Sequence, residues 1–233
     1  MALIGYDLVV IDMEHGPTAL SETADMMRGI CGTDTAAMVR VPNNDPVFIK
    51  RLLDQGPDGI MIPMIETSAE AKDAVAACRY PPRGKRGWAA GVARASLYGF
   101  DVDYTLKTAD GLVIACQIES VRAVNNIEAI CAVEGVDVIF IGRNDLAADS
   151  GHILNLDHPD VVKLVERTVA VAKRAGRKLG TVPSPDRSWI KLFEEGFDMV
   201  LPSGDISLLR DAAHAEVSKF RQDVDRRVSD ANC

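Results

Sequence analysis

Short runs of aliphatic and β-branched residues alternate along the chain with longer stretches whose apolar positions recur every three to four residues, and glycine or proline stands at most of the joins. The runs at 7–12, 37–41, 59–65, 112–118, 136–141, 178–182 and 199–202 predict strands. The stretches at 21–30, 46–55, 69–78, 121–132, 159–175, 188–195 and 207–224 predict helices. Such alternation implies a parallel sheet covered by helices, and the run at 136–141, apolar on both faces, suits a sheet buried on both sides. An open sheet and a closed barrel both satisfy the pattern. Polar residues favour the barrel: His15, Arg40, Glu119 and Asp145 each fall at or just past the C-terminal end of a predicted strand, and a barrel gathers those ends on one rim. The expectation is therefore a single α/β domain over 1–233, a TIM (β/α)8-type barrel. Seven βα units are recognisable, and the first unit of such a barrel is expected upstream of the first run. The open seven-stranded sheet is the alternative.

Strand alternation puts Gln117 and Glu119 on one face with Val113 and Ala115, and Ile114, Cys116 and Ile118 on the other. Neighbouring parallel strands lie about 4.8 Å apart, so carboxylates leaving two adjacent strand ends, Glu119 and Asp145, can converge. Two such carboxylates repel unless a proton or cation sits between them. With oxygen ligands and no Cys or His beside them, the fitting cation is hard and divalent, Mg²⁺ or Mn²⁺, and its open positions would suit a chelating 2-oxo acid. The alternatives are a helix cap for Asp145 and a surface ion pair for Glu119. The turn Gly142-Arg143-Asn144-Asp145 opens a helical stretch whose amides could hold a carboxylate. Arg40 could stabilise an oxyanion, or merely pair with a rim carboxylate. His15 is the only one of the four histidines at a predicted strand end and is a candidate general base; His152 and His158 lie in a loop and His214 on the last helix. Imine chemistry lacks its lysine, because Lys178 begins its strand at the opposite mouth.

Composition narrows the partners. The 233 residues are 47% hydrophobic and 26% charged, as in ordinary globular proteins. No apolar run approaches the roughly 20 residues that span a bilayer. The net charge of −8, with basic residues scattered, lacks the footprint of nucleic-acid binding. Five unpaired-looking cysteines (31, 78, 116, 131 and 233) indicate reduced thiols and a cytoplasmic location. The long join at 79–109, rich in Arg, Tyr, Pro and Trp with a helix-like piece at 102–108, reads as an oligomer interface or a solvated loop.

Five segments in register carry a resemblance: Ile-Asp-Met-Glu-His-Gly-Pro (11–17), Val-Arg-Val-Pro-Asn-Asn-Asp-Pro (39–46), Arg-Tyr-Pro-Pro-Arg-Gly-Lys-Arg-Gly (79–87), Gln-Ile-Glu-Ser (117–120) and Phe-Ile-Gly-Arg-Asn-Asp-Leu (140–146). Together they resemble the HpcH/HpaI aldolase family, metal-dependent class II pyruvate aldolases. The resemblance implies reversible aldol cleavage of a 4-hydroxy-2-oxo acid, or a 2-keto-3-deoxy sugar acid, to pyruvate and an aldehyde. It implies that His15 is the base acting through a water, that Arg40 stabilises the enolate, and that Asp54 raises the basicity of the histidine. Glu119 and Asp145 become metal ligands for Mg²⁺ or Mn²⁺, with Co²⁺ a further candidate. Gln117 and the amides of Asn144 and Asp145 contact the substrate. The resemblance also implies a homo-oligomer, a hexamer built as a trimer of dimers, with the last helix packed on a neighbouring subunit. The family usually has proline where Arg143 stands, which adds a cation expected beside the substrate carboxylate. Oxaloacetate decarboxylation, a macrophomate-synthase-like enolate addition, and an inactive barrel serving as an interaction subunit are the competing functions.

Overall fold

The computed structural model describes residues 1–184 and 187–231, without the side chains of 228–231; Cys233 lies outside the described residues. Seven parallel strands form one sheet in chain order: β1 (Leu8–Asp12), β2 (Ala36–Arg40), β3 (Gly59–Ile62), β4 (Val113–Ile118), β5 (Val138–Ile141), β6 (Lys178–Thr181) and β7 (Met199–Val200). The connecting helices are α1 (Leu20–Ile30), α2 (Pro46–Leu53), α3 (Ser68–Cys78), α4 (Val121–Asn125), α5 (Ile127–Cys131), α6 (Arg143–Asp149), α7 (Pro159–Arg174), α8 (Trp189–Glu194) and α9 (Asp205–Ala231). Every strand the periodicity predicts is present. β3 stops earlier than the expected 65 because Pro63 offers no N–H to the ladder and Met64 turns to a φ of 53°.

The sheet separates two apolar layers. On its helix-covered face Val39, Ile60, Ile62, Ile114, Cys116, Ile118, Ile139 and Ile141 belong to the main core with the inner faces of the helices. On the other face Met38, Met61, Ala115, Val138 and Phe140 are also buried, packed with Leu8, Val10, Val182, Met199 and Leu201. Side chains from both edges of the sheet reach this second cluster, as expected when a parallel sheet curls so that its strands face one another. The alternation within β4 is as the sequence predicts: Ala115 faces the inner cluster, Ile114, Cys116 and Ile118 the helices. With the strands in sequential order, β1 and β7 form the two edges of a half-barrel.

Carboxylates at the N-terminal mouth have a structural task. Asp58, Asp137 and Asp198 accept the backbone N–H of Ala37, Ile114 and Leu179 at 2.8, 2.8 and 2.9 Å. In return their own N–H groups donate to the carbonyls of those same residues. Each reciprocal pair pins one strand to the next, since a one-residue slip would break both bonds.

Helix starts follow their capping residues. Asp45 accepts the Val47 N–H at 2.9 Å ahead of Pro46, and Thr67 and Glu70 form a capping box on α3. Where one helix is expected at 121–132, there are two. Asn126 breaks the run, with φ −102° and ψ 8°, and its side chain donates to the Glu66 carbonyl at 2.9 Å. The segment expected to be helix-like at 102–108 is instead a series of turns running into a 3₁₀ turn at Thr108–Gly111.

The long join at 79–111 folds around a buried cation. Arg86, 3% exposed, lies 4.5 Å from the ring centre of Tyr80 and 3.3 Å from the hydroxyl of Tyr104, and pairs with Asp54 at 3.0 Å. At its surface the same loop shows Trp88, Leu97, Tyr98 and Phe100. The last helix begins two residues before the expected 207 and runs to Ala231. No helix among the described residues is long and apolar enough to cross a membrane.

Candidate active site

The C-terminal ends of β1, β2 and β4 and the start of α6 bring together an acidic cluster around a single arginine. Glu119, just beyond β4, is 2% exposed. Its Oε1 accepts the Met64 N–H at 2.7 Å, and its Oε2 accepts from the Gln117 side-chain amide. The left-handed turn that ends β3 thus aims the Met64 amide at this carboxylate. Gly142 gives it room: a Cβ there would lie 2.6 Å from Glu119 Oε2 and 2.9 Å from its Cβ. Gln117 is also 2% exposed, and its Oε1 is buried without a hydrogen-bond partner.

Arg40 ends β2. Its Nε and Nη2 donate to the two oxygens of Asp12 at 2.8 and 2.6 Å, and its Nη1 lies 3.0 Å from Glu14 Oε2. That Glu14 oxygen is buried and lacks an aligned donor, so the contact with Arg40 is an ion pair without hydrogen-bond geometry. Asp12 also accepts the N–H groups of Glu14 and His15 at 3.0 and 3.3 Å, closing an Asx-type turn. Gly16 permits that turn, since a Cβ there would meet the Asp12 carbonyl at 2.3 Å.

Burial pushes the Glu119 carboxyl above the usual range; the Gln117 and Met64 hydrogen bonds pull it back, Asp145 raises it further and Arg40 lowers it. Glu14 is likewise raised, by burial first, with the attraction of Arg40 opposed by Glu119 and Asp12. Burial acts the same way on Asp12, but there the Arg40 hydrogen bonds and charge and the two backbone donors win, leaving its carboxyl below the usual range. Four carboxylates, Asp12, Glu14, Glu119 and Asp145, therefore act on one another around one guanidinium. The cluster has a net deficit of positive charge, and two of its members resist ionisation.

The expected site residues fall as follows. Gln117, Glu119, Arg40 and Asp145 share the cluster, with Asn144 and Asp145 exposed in the first turn of α6. His15 is at its edge; the imidazole is 68% exposed, with Nε2 3.9 Å from Glu14 Oε2. Asp54, at the end of α2, accepts a hydrogen bond from Arg86 Nη2 at 3.0 Å. Arg143 does not reach into the cluster as an extra cation. It is 4% exposed and donates to Ser184 Oγ at 3.0 Å and to the Leu156 carbonyl and Asp157 Oδ1 at 3.3 Å. Asp12 and Glu14 join the site although strand alternation puts them opposite His15; the Gly16-Pro17 turn makes alternation unreliable there.

The donor set fits a hard divalent cation: oxygen ligands only, a buried carboxylate, an unpartnered buried amide oxygen in Gln117, and a charge deficit that a cation would balance. This fit rests on Glu119 and Asp145, with Glu14 and Asp12 around them.

A parallel α/β half-barrel with an acidic cluster at its C-terminal mouth describes a class of enzymes, and comparison with known proteins identifies the branch. The family model for HpcH/HpaI aldolase/citrate lyase matches residues 1–212. The chain is 38% identical over 221 residues to the hydroxypyruvate/pyruvate aldolase of Chromohalobacter salexigens, covering 95% of this chain and 87% of that one. It is also 38% identical over 222 residues to the 5-keto-4-deoxy-D-glucarate aldolase of Shigella boydii, covering 95% and 86%. A solved HpcH/HpaI aldolase/citrate lyase family protein from Burkholderia cenocepacia superposes with a TM-score of 0.90 at 36% identity, over 94% of this chain and 88% of the other. The chain belongs to the HpcH/HpaI aldolase/citrate lyase family, and the two curated relatives are aldolases, hence carbon–carbon lyases.

Proposed function

We propose that this protein is a metal-dependent carbon–carbon lyase that reversibly cleaves a 4-hydroxy-2-oxo acid, or a 2-keto-3-deoxy sugar acid, to pyruvate and an aldehyde. The observation that carries the reading is the buried Glu119–Gln117 pair set among Asp145, Glu14 and Arg40, joined to the aldolase names of the relatives. Glu119 and Asp145 hold the cation, Mg²⁺ or Mn²⁺ with Co²⁺ a further candidate, which when bound acts as a Lewis acid toward the 2-oxo group.

The chain's own groups supply the rest. The amides of Asn144 and Asp145 and the Gln117 side chain orient the 2-oxo acid. His15, exposed toward the cleft edge, takes the proton of the 4-hydroxyl through a water. As that proton leaves, the C3–C4 bond breaks and its electron pair moves toward the C2 oxygen. Arg40, fixed in place by Asp12 and Glu14, presents the charge that favours the developing oxyanion. Protonation at C3 then gives pyruvate. Within this chain Asp54 pairs with Arg86 at the end of α2 and takes no part in these steps.

The finer fold reading is a complete (β/α)8-type barrel in which one further βα unit closes the gap between β1 and β7, supported by the inner apolar cluster and the Burkholderia cenocepacia superposition. The assembly we infer is a homo-oligomer, a hexamer as a trimer of dimers in the cytoplasm. Support comes from α9, whose Ile206, Leu209, Val217, Phe220 and Val224 recur at helical spacing and are exposed.

The test is pyruvate release from 4-hydroxy-2-oxoheptanedioate and from 5-keto-4-deoxy-D-glucarate, with Mg²⁺ or Mn²⁺ and with EDTA. Metal-dependent pyruvate formation, lost in Glu119→Gln, is expected. Turnover indifferent to EDTA, or retained in Glu119→Gln, overturns the metal role; no pyruvate from any such acid overturns the reaction. For the assembly, light scattering on Phe220→Glu should show a smaller particle than the parent.

A further inference from the structure

The loop between α6 and α7 carries two histidines with no part in the site above. The rings of His152 and His158 stack with centroids 3.5 Å apart and planes 15° from parallel. Asp160, in the first turn of α7, places Oδ2 3.7 Å from His152 Nε2 and 3.7 Å from His158 Nδ1. His158 Nδ1 also accepts the Asp160 N–H at 3.3 Å, a capping bond that a metal ion would replace. Both imidazoles are only partly exposed, 27% and 32%, and Pro159 between the second histidine and the aspartate fixes the chain direction.

We propose that His152, His158 and Asp160 form a second metal site, one that takes Zn²⁺ and clips the loop onto the start of α7. Two imidazole nitrogens with one carboxylate oxygen is a borderline-soft donor set that suits zinc, whereas the oxygen-only cluster around Glu119 suits Mg²⁺ or Mn²⁺. In a tetrahedral zinc site with bonds of roughly 2.0–2.1 Å the donor atoms stand about 3.3 Å apart. The separations of 3.7 Å are wider by a few tenths of an ångström, so the donors draw inward and the rings splay from their stack on binding. A water completes the fourth position. The site is empty in this structure.

Between the two histidines lie Leu156 and Asp157, whose carbonyl and carboxylate hold the buried Arg143. Arg143 is the first residue of α6, the helix that carries Asn144 and Asp145. An ion at the histidines therefore fixes the strap that grips the root of that helix.

The experiment is calorimetric titration of ZnCl₂ into the full chain with Mg²⁺ in large excess, for the parent, Glu119→Gln, His152→Ala, Asp160→Asn, and the Glu119→Gln variant combined with each of the last two. Because zinc can also enter an oxygen site, the Glu119→Gln background isolates the histidine site, and the glutamine keeps an acceptor for the Met64 N–H. One zinc equivalent should persist in Glu119→Gln and vanish when His152→Ala or Asp160→Asn is added. X-ray absorption at the zinc edge in that background should show two imidazole ligands. Circular dichroism and metal-free melting of His152→Ala should match the parent, excluding a folding defect. Zinc binding in Glu119→Gln that is unchanged by both added substitutions, or absent from Glu119→Gln altogether, overturns the proposal. The aldolase reading stands or falls separately, on pyruvate release from the 2-oxo acids named above.

Discussion

Replacing Gly142 by alanine isolates the packing around Glu119 from every other effect. The backbone there, at φ −84° and ψ 83°, lies near the inverse γ conformation that L-residues adopt, so no left-handed strain accompanies the substitution. The added methyl, however, starts 2.6 Å from Glu119 Oε2, and ordinary contact begins near 3.4 Å. Something must retreat by about 0.8 Å, and Gly142 is tied by its N–H to the Ile118 carbonyl at 3.1 Å. The carboxylate is the softer partner. Moving it by that amount would stretch the 2.7 Å bond from Met64 to about 3.5 Å, past the useful hydrogen-bond range. Loss of a hydrogen bond to a buried charged group and residual overpacking together amount to about 2–4 kcal/mol. At roughly 2–4 °C per kcal/mol for a chain of this size, the melting temperature should fall by about 5–15 °C. A displaced ligand should also weaken Mn²⁺ binding at least tenfold, about 1.4 kcal/mol, read by isothermal titration calorimetry. If Gly142→Ala melts with the parent and binds Mn²⁺ equally well, the glycine is not what seats Glu119, and the cluster geometry described here is wrong.

Three further expectations follow from the same geometry. Because burial raises the Glu119 carboxyl above its ordinary 4.5, the folded metal-free protein binds a proton there that the unfolded chain has lost; this favours the fold below about pH 4.5 and fades as pH rises through the raised value. Metal-free Glu119→Gln should therefore gain stability over the parent toward neutral pH, with the difference shrinking as pH approaches 4.5 in thermal melts; a pH-independent difference would refute the assignment. Asp54→Asn leaves the buried Arg86 without its carboxylate and should lower stability by about 2–3 kcal/mol in urea, toward the low end for a buried pair because Asp54 itself is 23% exposed; an unchanged urea midpoint would mean that Tyr80 and Tyr104 suffice. Burial pushes the thiols of Cys78 and Cys116 up to about 12 and that of Cys131 to about 11, so peptide mapping after native alkylation should find these three protected and the exposed Cys31 modified.

How far the sequence could be read depended on whether a residue lay inside a regular element. Gln117 and Glu119 were placed correctly because β4 keeps its two-residue alternation up to its last residue, and the spacing of Ile114, Cys116 and Ile118 fixes which face meets the helices. Asp12 and Glu14 escaped the same logic. The chain leaves the strand at Asp12, whose own side chain caps the turn, so alternation no longer says where Glu14 points. Met64 was beyond reach for a related reason: its donor role depends on a left-handed residue after Pro63, a conformation that a hydrophobic side chain does not announce. The Asp54–Arg86 pair spans 32 residues and a loop without periodicity, so only the fold could join them. Arg143 was read as part of the cluster from its place beside Asn144 and Asp145; a helical turn instead swings it toward Ser184 and Asp157. The family resemblance, by contrast, rested on short contiguous motifs, which survive without knowledge of any contact.

The cluster is also unequal in how firmly its parts are held. Glu119 and Gln117 sit at 2% exposure with their bonds drawn from strand ends, whereas His15, Asn144 and Asp145 stand in the open on turns and a short helix. A lineage can therefore vary the surface around these open residues without disturbing the seat of the shared three-carbon unit. Two aldolases similar to this chain carry names built on different substrates, at nearly the same identity to it. For redesign, the acceptor aldehyde is the dimension to change, at positions around the open side other than His15, Asn144 and Asp145; those three and the Glu119 seat are the parts to leave alone.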